Sequence, residues 1–361
     1  MSTLLIMAGG TGGHVYPALA IADFLRAQGV RIVWMGTRQG MESRVVPKAG
    51  YEMEWVKIKG LHGTGILRWL FVPFLLSYAL LQTVGIILRQ RPDALLGMGG
   101  FVAGPGGLVA WLLRRPLIIH EQNSIAGWTN RLLAHLADKV LAGFSGTFRE
   151  KLNPIYVGNP VRADIANLPI PEQRYANRKG PIRILVIGGS QGARVFNDNL
   201  PSLISVLPQH LRPVIWHQCG RGNEQVTEEK YAQFEVPAKV EEFIEDMARA
   251  YAWADLVVSR AGAMTIAELT VAGVAAVLVP YPHATNDHQT ANAMYMSEND
   301  AAFLLPQQAL NDRSILDIFQ KLEVQAQGRS RILKMANSAR SLGRSDAVNV
   351  VAEQCMEAIR A

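Results

Sequence analysis

Four glycine loops carry the chemistry that can be read from the residues themselves. They are "GGTGGH" at 9–14, "GMGGFVAGPGG" at 97–107, "GGSQGAR" at 188–194 and "SRAGAMT" at 259–265, and each follows an apolar run. Glycine lets the backbone turn sharply and lets a ligand approach the amides. A helix that opens at such a turn aims unpaired N–H groups and a positive dipole end at an anion. Four loops of this kind point to a phosphate-bearing ligand. No loop runs into Lys-Ser or Lys-Thr, so none is a Walker A loop. The first, Gly10-Thr11-Gly12-Gly13-His14-Val15, lacks the third glycine of a dinucleotide fingerprint. The second strand ends "VWMGT", without the acidic residue that would hold an NAD ribose. An NAD-dependent dehydrogenase is disfavoured on both counts. No Asp-x-Asp occurs, which removes the simplest carboxylate pair for a metal on a diphosphate. No metal and no cofactor are expected, and the charge of a leaving diphosphate falls to helix termini and basic side chains.

The loops need strands behind them. "TLLIMA", "RIVWM", "EMEWVKI", "ALLGM", "PLIIHEQ" and "KVLAGF" read as strands, separated by helical stretches such as "VYPALAIADFLRAQ". This alternation predicts βαβ units and a parallel sheet. It restarts near 181 with "PIRILVIGGSQGARVFNDNL" and continues through "PVIWHQCG", "KVEEFI", "DLVVSRAG" and "AAVLVPYP". "LLIMAGGTGGHV" and "ILVIGGSQGARV" share one plan, so the unit looks duplicated. A length of 361 residues also favours two domains. Residues 163–180, with prolines and no clear period, are placed as the linker. That gives a domain over 1–162 and another over 181–361, whose last helix is allowed to pack back on the first. Ligands of open α/β sheets sit at the carboxyl ends of the strands. The cleft between two such domains is the expected site.

Charge and cysteine content narrow the class further. Residues 1–162 hold 17 Lys and Arg against 8 Asp and Glu, a net of +9, whereas residues 163–361 come to −3. A basic half suits phosphates, nucleic acid or an anionic membrane surface. No interleaved aromatic and basic motif of a nucleic-acid reader is present, so nucleic acid is not the expected partner. Cys219 and Cys355 are far apart, which fits a reducing compartment and no disulfide framework. "MSTLLIMAGG" lacks a basic n-region and reads as a first strand, not a signal peptide.

"GGTGGHVYPALA", "GGFVAGPGG", "HEQN", "GNPVR", "GGSQGA", "ADLVVSRAGAMTIAEL" and "DHQTANA" occur in this order. The ordered set closely resembles the MurG family, the bacterial N-acetylglucosaminyltransferases that convert lipid I to lipid II in peptidoglycan synthesis. The likeness runs from about residue 3 to about residue 355. It implies a GT-B fold, two Rossmann-like doubly wound parallel-sheet domains with an interdomain cleft. It implies a C-terminal domain for UDP-GlcNAc and an N-terminal domain for lipid I. It places the protein peripherally on the cytoplasmic face of the inner membrane, with other cell-wall synthesis proteins as possible partners. The implied reaction inverts the sugar: the C4 hydroxyl of the muramoyl residue attacks C1 of GlcNAc, and UDP leaves. Such a step needs a base, stabilisation of a cationic sugar and charge balance for the diphosphate.

Within that resemblance His14 is the candidate base. It opens a predicted helix whose positive end disfavours imidazolium, with Pro17 expected in the first turn. Glu121 of "HEQN" is the alternative base. Thr11, Gly12 and Gly13 match positions that approach the donor sugar or the acceptor phosphate and are assigned to the donor, Asn123 matches a donor-contacting position, and Arg162 of "GNPVR" is expected at a phosphate or uridine from the domain junction. Ser190 is expected at the diphosphate, and the backbone of Ile244 at the uracil edge. The helix opening Ala263, Met264, Thr265, Ile266, Ala267 and Glu268 is aimed at the phosphates, with Glu268 on the ribose. Thr265 and Glu268 also have capping-box spacing, which would explain both without a ligand. Gln289 matches a position that contacts the GlcNAc hydroxyls. His288 stands where the family has a first glutamine, and Asn292 completes the motif. Gly99, Gly100 and Gly104 are assigned to the acceptor. Phe101 stands where some relatives have Tyr.

Other readings share parts of this pattern. A GT-B enzyme with another lipid acceptor, such as a diacylglycerol glucosyltransferase, is disfavoured by "HEQN" and "DHQTANA". A UDP-GlcNAc 2-epimerase would not need a basic, apolar acceptor domain. A non-catalytic nucleotide-sugar module is the remaining class. The apolar stretch "RWLFVPFLLSYALLQTVGIILR" at 68–89 passes the length test for a membrane span. It lies between two strands of one predicted sheet, however, and a span would put those strands on opposite sides of a bilayer. Pro73 is expected to interrupt the helix, with Tyr78 to Leu88 packing on the sheet. Ile66, Leu67, Trp69, Leu70, Phe71, Phe74 and Leu75, with Trp111 nearby and Arg114 and Arg115 at the rim, form an expected patch for an anionic membrane.

Overall fold

The computed structural model describes residues 1–58, 72–189, 192–322 and 329–361. They form two compact units, Met1–Val161 with Ser345–Ala361, and Arg162–Arg344. The first holds a seven-stranded parallel sheet, β1 (Thr3–Met7), β2 (Arg31–Gly36), β3 (Glu52–Trp55), β4 (Ala94–Gly97), β5 (Leu117–Glu121), β6 (Lys139–Ala142) and β7 (Ile155–Tyr156). Its order is β3-β2-β1-β4-β5-β6-β7. The second holds β8 (Arg183–Ile187), β9 (Val214–Gln218), β10 (Ala238–Glu241), β11 (Leu256–Ser259), β12 (Ala275–Leu278) and β13 (Ala302–Leu304), in the order β10-β9-β8-β11-β12-β13.

Strands β1, β4, β5, β8, β11 and β12 read as near-continuous apolar runs because helices cover both faces of each sheet. In the first unit, Leu4, Ile6, Trp34 and Leu96 pack on one side with the helices Gly12–Ala27 and Ala347–Arg360. Leu5, Met7, Val33 and Leu95 pack on the other with the helices Val72–Gln90 and Ala103–Leu112. Alternate residues of one strand thus feed two cores.

Several expectations are corrected. Residues 163–180 are no linker. They belong to the second unit, form the helices Ala163–Ala166 and Pro171–Tyr175, and are tied down by arginines. Arg174 donates to the carbonyls of Tyr251, Ala272 and Gly273. Arg178 and Arg329 share the buried Asp255 carboxylate, at 2.5 and 3.0 Å. The short strands β7 and β13 were not anticipated. Pro17 sits inside the helix that begins at Gly12, not in its first turn, so the carbonyl of Gly13 has no N–H to accept four residues on. Pro73 does not interrupt its helix but is the second residue of Val72–Gln90, where a missing N–H costs nothing. Between Tyr78 and Leu88 that helix buries Ala79, Thr83, Ile86 and Ile87, while Tyr78, Leu81 and Leu88 remain exposed.

Candidate active site

The strand order of each sheet reverses once, between β1 and β4 in the first unit and between β8 and β11 in the second. At such a switch point the flanking connections diverge and leave room for a ligand at the strands' carboxyl ends. All four glycine loops fall there, two in each unit.

In the first unit the two loops touch. Gly99 and Gly100 have φ of 98° and 78°, the left-handed region that glycine tolerates. A methyl group on Gly100 would collide with the carbonyl of Gly9, and one on Gly99 would lie 3.0 Å from the His14 ring. Glycine is therefore needed at both positions. The rest of that motif is structural, since Gly106 and Gly107 let their helix close onto Met7 and Leu133. Gly104 lies in the first turn of the helix, and a methyl there would make ordinary contact with Thr129.

His14 is half-buried in the first turn of the helix Gly12–Ala27, behind the exposed Thr11 cap. Its Nδ1 lies 3.2 Å from the carbonyl oxygen of Gly9. A carbonyl only accepts, so Nδ1 carries a proton, and when the ring is neutral its lone pair is on Nε2. That is the tautomer a general base requires.

Glu121 ends β5 and is buried. Its Oε1 accepts the backbone and side-chain N–H groups of Asn123, both at 3.0 Å. Its Oε2 accepts from Gly127 N at 3.1 Å and Asn130 Nδ2 at 3.0 Å. Four donors organise this carboxylate as the anchor of the loop that presents Asn123. Beside it His120 is fully buried, donates from Nε2 to the Gly158 carbonyl at 2.9 Å and accepts from Gln122 at 3.0 Å. Burial holds its pKa down at about 4, so the ring is neutral. Asn130 Nδ2 is also 3.7 Å from where a Gly99 methyl would sit. His14, Gly99, Asn130 and Glu121 are thus contiguous.

In the second unit the helix Ala263–Ala272 is capped by Gly262. Thr265 is its third residue, so the capping-box explanation of Thr265 and Glu268 does not hold. The amides of Ala263, Met264 and Thr265 lack intrahelical acceptors by position. The amide of Ile266 is already bonded to the Gly262 carbonyl, and the side chains of Ile266 and Ala267 are buried. Glu268 accepts the Tyr251 hydroxyl at 2.9 Å, with Arg162 and Asp164 as charged neighbours. Burial raises the Glu268 pKa, and the hydrogen bond from Tyr251 and the charge of Arg162 oppose that shift.

Gln289 Oε1 accepts the amide of Tyr281 at 2.9 Å, and its Nε2 is the donor of the same amide group. His288 Nδ1 donates to the Thr285 carbonyl at 2.6 Å. Asn292 is fully buried and holds the Ala261 carbonyl at 3.1 Å. The side chain of Ile244 is buried in the turn after β10. Ser190 lies outside the described residues, as do Ile66, Leu67, Trp69, Leu70 and Phe71 of the apolar patch. Phe74, Leu75 and Trp111 are exposed by 74, 49 and 50%. Among the described residues no three His, Cys, Asp or Glu side chains cluster as metal ligands do, and no helix is long and apolar enough to cross a membrane.

The sequence reading missed Glu42 and Tyr251. Glu42 is buried against the first glycine loop and Tyr251 against Glu268. A glutamate flanked by the polar "RQGM" and "SR" looks like surface, and only the density of nearby glycines hinted otherwise.

Residues 4–142 match the glycosyltransferase family 28 N-terminal domain, and residues 183–351 match the C-terminal domain of the same family. A UDP-N-acetylglucosamine--N-acetylmuramyl-(pentapeptide) pyrophosphoryl-undecaprenol N-acetylglucosamine transferase of Nitrosococcus oceani is 51% identical, over 98% of both chains. The crystal structure of Acinetobacter baumannii MurG is 35% identical with a TM-score of 0.84, covering 99% of this chain and 100% of that one. A UDP-GlcNAc 2-epimerase from Neisseria meningitidis, 14% identical with a TM-score of 0.68 over 99% of this chain, shares the fold alone. The doubly wound sheets are therefore those of the GT-B glycosyltransferase fold, and the chain belongs to the MurG family of N-acetylglucosaminyltransferases.

Proposed function

We infer that this chain transfers N-acetylglucosamine from UDP-GlcNAc to lipid I, giving lipid II. The observation that carries the reading is the full-length family match, and the His14 geometry gives it a chemical step. The muramoyl C4 hydroxyl gives its proton to His14 Nε2 as its oxygen attacks C1 of GlcNAc. UDP leaves from the opposite face, so the anomeric centre inverts. The opening amides of Ala263–Ala272 and the glycine loop after β8 take up the charge of the diphosphate. Glu268 accepts from the ribose hydroxyls, Arg162 beside it pairs with the nucleotide's charge, and Gln289 Nε2 donates to a GlcNAc hydroxyl. Asn123 and the loops at Thr11–Gly13 and Gly99–Gly104 contact the sugars and the acceptor diphosphate. Glu121 holds Asn123 in place and takes no proton.

The reading also has the protein rest on the cytoplasmic membrane surface. Phe74, Leu75 and Trp111 are exposed on helices of the basic unit, with Leu112, Leu113 and Arg114 exposed directly after Trp111. An apolar patch with a cationic rim suits an anionic bilayer.

The reaction is tested by incubation with UDP-GlcNAc alone and then with lipid I. UDP released only when lipid I is present supports the transferase. A 2-epimer formed without acceptor would establish the epimerase instead. Turnover is expected to survive EDTA, and complete loss would contradict the account in which helix termini and arginines balance the diphosphate.

A further inference from the structure

Glu42 opens the helix Glu42–Lys48 and has no exposed surface. Its carboxylate is paired with no basic side chain among the described residues. Burying an uncompensated carboxylate is expensive unless hydrogen bonds satisfy it. Here Oε1 accepts the amide of Thr37 at 2.8 Å and its hydroxyl at 2.7 Å. Oε2 accepts the amide of Gly10 at 2.9 Å. The chain makes room for it with glycines. A methyl on Gly9 would lie 2.7 Å from Oε1, one on Gly36 would lie 2.7 Å from Cγ, and one on Gly40 would overlap the carboxylate.

The Gly10 amide and the Gly9 carbonyl are two ends of one peptide group. At the amide end stands the Glu42 carboxylate, and at the carbonyl end stands His14 Nδ1 at 3.2 Å. Negative charge on the N–H end of an amide increases the electron density on its oxygen, and hydrogen bonds in such a chain strengthen one another. The carbonyl then holds the Nδ1 proton more firmly and stabilises the ring as Nε2 gains a second proton. In many enzymes a carboxylate does this to a histidine directly. Gly100 is seated so close to the same Gly9 carbonyl that a methyl group on it would collide.

We propose that Glu42 is a positioning residue that fixes the tautomer and raises the basicity of His14 through the Gly9–Gly10 peptide. The proposal rests on His14 acting as the base.

The test is a double-mutant cycle on kcat with lipid I, using wild type, Glu42→Gln, His14→Ala and the double variant, with KM for UDP-GlcNAc and Tm measured for each. Glu42→Gln is expected to lower kcat by about 10–100-fold, the usual scale for such outer-sphere partners, with KM for UDP-GlcNAc unchanged. The double variant is expected to be no slower than His14→Ala. Multiplying losses would show that Glu42 acts independently of His14, and an unchanged kcat in Glu42→Gln would also overturn the proposal. Near-normal turnover in His14→Ala would instead remove the base reading, so the two failures are distinguishable. Should Glu42→Gln fold poorly, the nitrogen NMR spectrum of the His14 ring in the wild-type protein decides. A protonated Nδ1 with an unprotonated Nε2 is expected, and the opposite tautomer contradicts the relay.

Discussion

Each unit pairs two glycine loops where its strand order reverses, but the side chains that stand there differ. In the first unit the loops press together, Gly100 against Gly9, and the polar group they frame is the His14 imidazole. In the second the loop after β11 opens a helix whose first three amides lack intrahelical acceptors, and the nearby charges are Glu268 and Arg162. The shared plan makes an anion site twice. On the proposed reading, what stands on it separates the work: proton transfer at the first unit, grip on a nucleotide sugar at the second. A duplicated fold alone therefore says little about which half does what.

Changes to one loop glycine in each unit can break this comparison. Gly100→Ala forces a side chain onto the Gly9 carbonyl at a left-handed φ, and a displacement of about 1 Å at a reacting group costs on the order of 100-fold. Steady-state kinetics should show that loss in kcat with donor affinity kept. In the second unit Gly192, with φ of 74°, meets the Cys219 carbonyl in the same way. Gly192→Ala should instead raise KM for UDP-GlcNAc. If both variants changed the same parameter, the division of labour would be wrong.

Glu268→Ala should weaken UDP-GlcNAc binding by about 10–100-fold, the worth of one or two hydrogen bonds to a charged group. Calorimetric titration with UDP-GlcNAc and with UDP measures it. Unchanged affinity would take Glu268 out of the donor site and leave it as a partner of Tyr251.

Both units also bury a neutral histidine on a strand, His120 on β5 and His217 on β9. His217 touches the Tyr231 hydroxyl through Nδ1 at 2.9 Å, and burial holds its pKa at about 3. The unfolded ring protonates near 6.5, above the folded value, so stability falls as pH drops from about 6.5 toward the folded value. At pH 5 each histidine should have cost about 2 kcal/mol relative to pH 7. Denaturant unfolding of His217→Phe should show a shallower loss between pH 7 and 5 than wild type. An identical slope would mean that His217 is not the group responsible.

The smallest effect on turnover is expected at the apolar surface. Trp111→Glu and Leu75→Glu should each lower binding to anionic vesicles by about tenfold, on the scale of one side chain's apolar burial, while a soluble acceptor is turned over normally. Vesicle sedimentation reads the first and UDP release the second. Unchanged sedimentation would sink the docking surface.

The strands that carry the loops were legible because fully buried parallel strands read as apolar runs, and the glycine loops because they sit directly after them. The two-residue β7 and three-residue β13 left too short a pattern to see. Residues 163–180 looked like a linker because their fixation is non-local: Arg174 and Arg178 reach carbonyls some 75 to 100 positions away. Glu42 was invisible for the same reason, since its burial depends on Gly9 after β1 as well as on Gly36 and Gly40 nearby in the chain. His14 could be picked out as a candidate base, but its tautomer required the position of the Gly9 carbonyl.

The central claim is that the first unit supplies the proton acceptor and the second holds the donor. It is tested most directly in a single turnover, with wild type and His14→Ala each saturated with UDP-GlcNAc and mixed with lipid I. The account predicts unchanged UDP-GlcNAc occupancy and sugar transfer slowed by about 10²–10⁴, the usual contribution of a general base. Transfer at the wild-type rate, or a loss traced wholly to donor binding, would contradict it.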